Sequence, residues 1–338
     1  MFEISPKHRP IIVGNERTVQ RLSSRLRLKA KNILNRRRAR SEIRFLARQG
    51  LSQRWLYCRP QGGLNDTLVQ ISMCLRYAAK FKRRLVVDTR RSGFLDEFNA
   101  YFTTINHFPN LLLRSFTEDE ARFLARMDCL PSCLRMRGVV YDSMYMANSN
   151  YVDTITGEPI TFSFDTDHEQ PLLVHEQCGG GEGGYHCLKF LRLTAETRKD
   201  VLGLMAQLPE SYDAVHIRHT DVTTDYKTLL QMLAPHIRGD VLLICTDSME
   251  VLEYSRSSLQ GVKVVAIANI PDSKGQSLHH NASLTDRHIN IGTIADLLAM
   301  SRAKRLFLPP PSLGYPSGYA RLAVQLRSRQ YLVHQLLS

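Results

Sequence analysis

The spacing of apolar residues over 54–88 predicts a strand, a helix and a second strand. "RWLYCRP" (54–60) and "RLVVD" (84–88) are short apolar runs of the kind found in buried strands. Between them the apolar residues recur at helical spacing, at Leu64, Leu68, Ile71 and Leu75. A strand, tight turn, helix and strand make a βαβ unit, which indicates a parallel sheet.

A second alternating pattern begins near residue 195. It predicts strands at 212–217, 240–247, 261–267 and 305–309, and helices at 194–208, at 292–304 and from Ser317 or Gly318 to about Leu326. Residues 90–190 are less regular and end in the glycine-rich stretch "HEQCGGGEGGYH" (175–186), which is either an interdomain linker or a lid. We therefore predict an α/β protein with two Rossmann-like domains facing a cleft.

Charge divides the chain further. The net charge of +13 comes mostly from residues 17–48, where Glu42 is the only acid among many arginines and lysines. We predict a basic N-terminal arm over 1–50, an acceptor-side α/β domain over 51–190 and a nucleotide-binding α/β domain over 191–338. Leucines alternate with the basic residues, so the arm contacts an anionic membrane surface or a partner, or packs on the body as a solvated helix. Too few aromatics are present to favour nucleic acid.

The chain has no apolar run long enough for a membrane span, and its first residues do not resemble a signal peptide. Its seven cysteines are an odd number, scattered without metal-ligand spacing. We therefore expect reduced thiols, no metal site and a cytoplasmic protein, peripheral to the inner membrane if the arm binds lipid.

Two adjacent glycines, Gly62 and Gly63, stand where the first strand turns into its helix. Without a Cβ, the backbone can adopt a positive φ and a ligand can approach it closely. The helix N-terminus then directs free N–H groups at such a ligand. A turn that only packs the strand against the helix explains the same pair of glycines, and both interpretations stay open.

Several residues that could bind an anion follow the C-terminal strands. "HIRHTD" ends the 212–217 strand and carries His216, Arg218 and Asp221, either as a phosphate grip or as an ordinary ion pair. Asp296 lies in an apolar helix and needs a partner there, either a ligand's amino groups or a neighbouring backbone. Ser312 lies in "PPPSLGYPSGYAR" (309–321), which either presents hydroxyls and N–H groups to phosphate or only closes the sheet.

The order of these motifs resembles the fucosyltransferase superfamily, especially the nodulation and core α-1,6-fucosyltransferases with their His-x-Arg-x-x-Asp motif. The blocks that carry the resemblance are "GGLNDTLVQISMCLRYAAKFKRRLVVD", "VHIRHTD" and "GTIADLLAMSRAKRLFLPPPSLGYPSGYARLA", together with "CTDS" and "LHHN". They cover residues 59–88 and 212–323. The resemblance implies a GT-B-like fold, a GDP-fucose donor substrate, inversion at the sugar carbon, and neither cofactor nor metal.

The resemblance also implies residue roles. Arg218 would grip the β-phosphate, His216 and Asp296 would contact the guanine or its neighbourhood, and Ser312 would hold phosphate. Gly62, Gly63 and Asp66 would line the cleft from the N-terminal side. A carboxylate would take the acceptor's proton, and the candidates are Asp66, Asp225 and Glu182. The chain departs from many relatives at His219, where they carry a second arginine.

The function expected from this sequence is glycosyl transfer, from GDP-fucose to a glycan acceptor. Arg218 would be the main group that stabilises charge on the leaving diphosphate. Two alternatives stay open: a catalytically inactive relative that binds a glycan or nucleotide, and a transferase that uses another nucleotide sugar.

Overall fold

A computed structural model describes residues 11–14, 52–220, 223–271 and 286–338. The side chains of 11–14 are left out of the description. Its strands are β1 (Ile11–Gly14), β2 (Trp55–Cys58), β3 (Arg84–Val87), β4 (Phe102–Thr104), β5 (Leu111–Leu112), β6 (Cys129–Leu130), β7 (Ser143–Met146), β8 (Asn150–Asp153), β9 (Leu172–His175), β10 (Leu191–Leu193), β11 (Asp213–Ile217), β12 (Val241–Thr246), β13 (Lys263–Val265) and β14 (Arg305–Leu308).

The helices alternate with these strands in both halves of the chain. They are α1 (Leu64–Lys80), α2 (Glu118–Leu124), α3 (Tyr185–Leu188), α4 (Ala195–Met205), α5 (Tyr226–Leu233), α6 (Met249–Ser258), α7 (Arg287–Arg302), α8 (Gly318–Arg327) and α9 (Gln330–Leu336). Short 3₁₀ turns occur at Phe98–Ala100, Ser132–Leu134 and Ala234–His236. Within the described ranges, none of these helices is long and apolar enough to cross a membrane.

The N-terminal unit is built on a parallel sheet with the strand order β5-β3-β2-β9-β6. Helix α1 carries the chain from β2 to β3, so the predicted βαβ unit is confirmed. One core cluster packs the 116–160 segment against the inner strands, around Trp55, Val86 and Val174. Strand β9 lies beside β2 although its sequence stands in the stretch that we expected to be irregular.

The C-terminal unit has the strand order β1-β14-β11-β12-β13, in which β1 is antiparallel and the others are parallel. Val215 and Ile217 point to one face, where they pack with α5 and α6. Because side chains alternate along a strand, His216 points to the opposite face. There it is paired in register with Cys245 of β12. Both units are thus α/β and Rossmann-like, as predicted.

The two compact units divide between Thr194 and Ala195. Strand β10 pairs with β4, so residues 191–194 belong to the N-terminal unit although we had placed them in the C-terminal domain. The glycine-rich stretch also lies wholly within the N-terminal unit. It is therefore not the interdomain linker, and the lid remains the open alternative.

The segment predicted as the basic arm is described only at β1, whose residues 11–14 extend the C-terminal sheet beside β14. The remainder of 1–50 lies outside the described residues, as do Asp221 and the two histidines of "LHHN". The role of the arm therefore stays a prediction.

Candidate functional site

In the C-terminal unit, the candidate residues gather where the parallel strands end. Asp247, just after β12, accepts hydrogen bonds from the backbone N–H of His219 at 2.8 Å and from the hydroxyl of Thr220 at 2.7 Å. Both donors follow the neighbouring strand β11. Asp247 therefore fixes the turn that carries Arg218. An acid that follows β12 can reach the turn after β11 because neighbouring parallel strands end at the same edge of the sheet.

A small buried group lies beneath that turn, between the sheet and helices α7 and α8. His216 and Cys245 come from adjacent strands, and Asp296 comes from α7. The Cys245 thiol lies against the Asp296 carboxyl. The ring of Tyr319, in the first turn of α8, lies 5.6 Å from the His216 ring. His216 and Asp296, far apart in the sequence, are thus linked through two shared neighbours, Cys245 and Tyr319.

Asp296 is an unusual carboxylate, because its side chain is buried without a full set of partners. Burial raises its pKa to about 7. Its Oδ1 atom accepts no hydrogen bond from any group in the described part of the chain. A buried acceptor left in this way is costly unless a ligand or a part of the chain outside the described residues satisfies it. Both alternatives for this residue, a ligand's amino groups and a neighbouring backbone, stay predictions.

His216 is held neutral. Burial lowers its pKa to about 4, and the nearby Arg218 acts in the same direction, whereas Asp247 opposes both. Burial likewise raises the pKa of Tyr319, with help from the nearby Asp296, and its hydroxyl donates to the carbonyl of Thr293 at 2.6 Å. A neutral imidazole can donate with one ring nitrogen and accept with the other, so this position suits the polar edge of a base.

The turn after β11 and the loop after β14 are joined through Thr224. Its hydroxyl donates to the carbonyl of Arg218 at 2.5 Å, and a Cβ at Gly314 would lie only 2.8 Å from that hydroxyl. Ser312 is exposed on this loop. Ser317 is the N-cap of α8 and accepts from the N–H of Ala320 at 3.1 Å. Glycine at 314 is what permits this close approach.

Two other residues near the motif have local roles. Asp225 is the N-cap of α5, where its Oδ1 accepts the N–H of Thr228 at 3.2 Å. The Nδ1 atom of His219 lies 3.1 Å from the carbonyl of Thr224, so this nitrogen carries the proton and donates. His219 therefore stabilises the turn that carries Arg218.

In the N-terminal unit, the turn between β2 and α1 needs its first glycine. Gly62 has φ +90, and a Cβ there would lie 2.8 Å from Oδ2 of Asp66. Gly63 is the N-cap of α1 with an ordinary φ of −74, and a Cβ there would meet no described atom within 4 Å. The packing alternative therefore explains Gly62 but not Gly63, where close approach of a ligand stays a prediction.

The glycine-rich stretch lies directly on the start of α1. A Cβ at Gly180 would be 2.3 Å from Oδ1 of Asp66 and 2.5 Å from Nδ2 of Asn65. The side-chain amide of Gln70 donates to the carbonyl of Gly179 at 2.6 Å. The side-chain oxygen of Gln70 lies 2.7 Å from Nε2 of His175. Because an amide oxygen only accepts, Nε2 is the nitrogen of His175 that carries the proton. This segment is thus pinned over Asp66 by side chains of the helix beneath it.

A buried ion pair supports the same edge of the sheet, and our sequence reading missed it. Arg59 follows β2 and Glu176 follows β9, and their Nε and Oε2 atoms are 3.0 Å apart with both side chains almost wholly buried. Gln61 and Ser143 each donate to the other carboxylate oxygen at 2.6 Å. The sequence did carry a signal for this pair. Arg59 and Glu176 each follow a short apolar run directly, and a charged residue in that position marks the carboxyl end of a buried strand.

Among the described residues, no three His, Cys, Asp or Glu side chains are grouped as metal ligands. Glu182 is exposed in the glycine-rich stretch. The structure thus places the predicted residues in two groups, one in each unit. His216, Arg218, Asp225, Asp296 and Ser312 belong to the C-terminal unit, and Gly62, Gly63 and Asp66 belong to the N-terminal unit.

The raised pKa of Asp296 predicts a specific pH dependence of stability. A carboxyl whose pKa rises on folding stabilises the protein at low pH, and that contribution is lost as pH rises from about 4 to about 7. His216 acts oppositely, because its lowered pKa adds stability as pH rises from about 4 to about 6.5. Asp296→Asn should therefore make the free energy of unfolding rise more between pH 5 and pH 7.5 than in the wild type.

Urea unfolding at the two pH values measures this difference. Asp240→Asn, at an exposed carboxylate of the same unit, is the matched control and should follow the wild-type profile. Parallel profiles for Asp296→Asn and the wild type would show that Asp296 is not held in an unfavourable charged state.

The packing of Gly180 predicts a steric coupling to Asp66. Gly180→Ala should lower the free energy of unfolding by about 1 kcal/mol, because its Cβ overlaps the ends of two side chains, which must rotate away. Gly203→Ala, at an exposed helix position with open space, should instead raise it by about 0.5–1 kcal/mol. In an Asp66→Ala background the cost of Gly180→Ala should shrink, and equal costs in both backgrounds would refute the contact.

The fold of this chain matches that of solved structures of known proteins. No protein-family model and no curated protein matches the chain. Several solved structures do. The fucosyltransferase NodZ from Bradyrhizobium superposes with a TM-score of 0.52 at 18% identity, covering 81% of this chain and 93% of that chain.

Two further structures of NodZ α-1,6-fucosyltransferase give the same result. The one co-crystallised with GDP has a TM-score of 0.53, covering 81% of this chain and 92% of that one, and the one soaked with GDP-fucose has 0.50, covering 80% and 92%. Both are 18% identical to this chain. An identity this low establishes the fold alone. The protein therefore has a GT-B-like α/β fold, the fold of the fucosyltransferase NodZ, as the resemblance of its motifs implied.

Proposed function

We propose that this protein is an inverting, metal-independent glycosyltransferase that transfers fucose from GDP-fucose to a glycan acceptor. The observation that carries the proposal is the buried carboxyl of Asp296, which has an unsatisfied oxygen. It lies against Cys245, the cross-strand partner of the neutral His216, near the carboxyl edge of a Rossmann-like sheet. Support also comes from the shared fold with NodZ, which has been crystallised with GDP and soaked with GDP-fucose.

The chemistry of guanine fits this pair of residues. Guanine presents two adjacent donors, N1–H and the N2 amino group, and a carboxylate can accept from both. Uracil and thymine offer a single N–H on the same edge. The ring of His216 can supply or accept one further hydrogen bond. Donation to Asp296 by a ligand favours the charged carboxylate, so binding should lower the pKa of Asp296.

The leaving diphosphate requires positive charge where no metal takes part. We assign this role to Arg218, whose guanidinium can form two parallel hydrogen bonds to phosphate oxygens. The start of α8 and the exposed Ser312 on the preceding loop add N–H and O–H donors. Donors that are already ordered before reaction stabilise developing charge without further reorganisation.

The transfer step uses the residues as follows. An acceptor hydroxyl oxygen attacks the anomeric carbon while the bond from that carbon to the β-phosphate oxygen breaks. The hydroxyl proton passes to a carboxylate, and GDP leaves with the bonding electrons. Among the candidates we favour Asp66, because the Asp225 carboxylate already serves as the cap of α5.

Two other functions remain candidates. A catalytically inactive relative would bind GDP or a glycan without turnover, and a transferase for another nucleotide sugar would prefer another nucleotide. We also propose that the protein acts in the cytoplasm, with its basic segment in peripheral contact with anionic lipid. The charge of residues 17–48 supports that proposal.

A nucleotide screen tests the guanine assignment. We expect GDP to bind at least about tenfold more tightly than UDP or dTDP, because a lost buried hydrogen bond costs on the order of 1–2 kcal/mol. Isothermal titration measures binding, and release of nucleoside diphosphate from GDP-fucose, GDP-mannose and UDP-glucose measures turnover. GDP binding without release would identify the inactive relative, and a preference for UDP or dTDP would refute the guanine site.

Removal of the proposed phosphate grip tests the mechanism. Arg218→Ala should lower turnover of GDP-fucose about a hundredfold or more, because one charge-stabilising donor is lost from the transition state. Arg256→Ala, at an exposed arginine of α6 in the same unit, is the control and should keep wild-type turnover. Circular dichroism verifies that both variants are folded. Near-normal turnover by a folded Arg218→Ala protein would contradict the assignment.

A further inference from the structure

The hairpin of β7 and β8 displays two neighbouring tyrosines. Tyr145 and Tyr151 are direct cross-strand partners, and their ring centroids lie 5.7 Å apart. Tyr145 is 58% exposed, although a tyrosine ring of this kind usually packs against the protein body. Tyr151 beside it is only partly exposed. An exposed aromatic ring held against a second ring on a sheet is a feature of interaction surfaces.

The hairpin is attached to the glycine-rich stretch that covers Asp66. The side-chain amide of Asn150 is hydrogen-bonded to both the N–H and the carbonyl of Cys178, each at 2.9 Å. Gln177 donates to the carbonyl of Tyr151 at 3.0 Å. Gly180, two residues after Cys178, lies directly on Asp66. The tyrosine pair is therefore continuous with the proposed acceptor end of the reaction, within one unit.

The hairpin is also rigid at its base. Ser143 donates to the buried Glu176 at 2.6 Å, and Asp153 accepts two hydrogen bonds from Arg137 at 2.9 Å while wholly buried. Strand β7 is thus bonded to the end of β9 in the parallel sheet through Ser143. Strand β8 is bonded to the segment before the hairpin through Asp153 and Arg137. A surface that is ordered before binding loses less conformational entropy when a ligand arrives.

The chemistry around the rings suits a sugar. A pyranose has one face of C–H groups and a rim of hydroxyls, and its C–H groups are attracted to the electron-rich face of an aromatic ring. Arg91 and Asp142 form an exposed ion pair at 3.3 Å, and Arg91 also donates to the carbonyl of Tyr141. Arg91 is close enough to Tyr151 to influence it electrostatically. Charged donors and acceptors of this kind can bind hydroxyls at the rim of a sugar ring.

We infer that Tyr145 and Tyr151 form a subsite that binds a pyranose ring of the acceptor, beside the glycine-rich stretch that covers Asp66. The inference rests on the proposed function, because it assigns the acceptor of the same reaction to the class of oligosaccharides. The ring of Tyr145 stacks on the sugar's C–H face, and Arg91 and Asp142 bind its hydroxyls. The subsite positions the acceptor, and the proton transfer itself remains with a carboxylate.

Binding of soluble tetrasaccharides to the full chain, without donor, tests this subsite. The probes are cellotetraose, mannotetraose and the tetramer of N-acetylglucosamine, and saturation-transfer NMR measures their dissociation constants. At least one should bind, with transfer strongest to its ring C–H protons. Tyr145→Ala should weaken that binding about tenfold or more, as truncation of a central aromatic contact does. Tyr145→Phe should retain it, because the ring is kept.

A matched control variant and a GDP titration separate loss of the sugar subsite from general damage to the protein. Phe123→Ala removes another exposed aromatic of the same unit and should bind the probes as the wild type does. GDP binding is measured in every variant and should be unchanged by Tyr145→Ala, so a failure of the GDP site is seen separately from a failure of the subsite.

Three outcomes would overturn the inference. In the first, none of the tetrasaccharides binds the wild type. In the second, Tyr145→Ala binds them as tightly as the wild type, or Tyr145→Phe loses as much affinity as Tyr145→Ala. In the third, the wild type binds phosphatidylglycerol vesicles in place of the sugars, and Tyr145→Ala abolishes that binding.

Discussion

The parallel pairing of strands is the constraint on which the candidate site depends. A parallel strand can reach its neighbour only through a crossover, so every loop that follows such a strand lies at the same edge of the sheet. Asp247 can therefore fix the turn after β11 although it belongs to the next strand. In the N-terminal unit, the same constraint brings Arg59 and Glu176 together from β2 and β9.

Burial of ionisable groups gives each edge its chemical character. In the C-terminal unit, Asp296 and His216 are both shifted toward their neutral forms by burial. Arg218 is then the positive charge of the proposed phosphate site, and the neutral His216 and the Asp296 carboxyl are hydrogen-bonding groups for the proposed base. In the N-terminal unit, the buried charges of Arg59 and Glu176 lie 3.0 Å apart as an ion pair that holds the edge in shape.

Glycines then set how closely the parts of the N-terminal unit can approach each other. Gly180 lets the glycine-rich stretch lie on Asp66, and Gly62 lets the chain turn into α1 with a positive φ. Gln70 and Asn150 hold that stretch from two sides. A segment of high glycine content is thus fixed by its neighbours, and the tyrosine hairpin is fixed with it.

The sequence by itself determined the α/β class, most of the strands and helices of the parallel sheets, and the candidate residues at the ends of β11 and β12, because apolar periodicity and strand-end position are local signals. It did not reveal β9, the pairing of β1 with β14, or the domain boundary after Thr194, since strand pairing depends on residues distant in the chain. Only the tertiary structure decided that Asp296 lies against Cys245, the cross-strand partner of His216, that Asp225 caps a helix, and that the glycine-rich stretch covers Asp66. Those outcomes follow from burial and packing between segments, which no local pattern encodes.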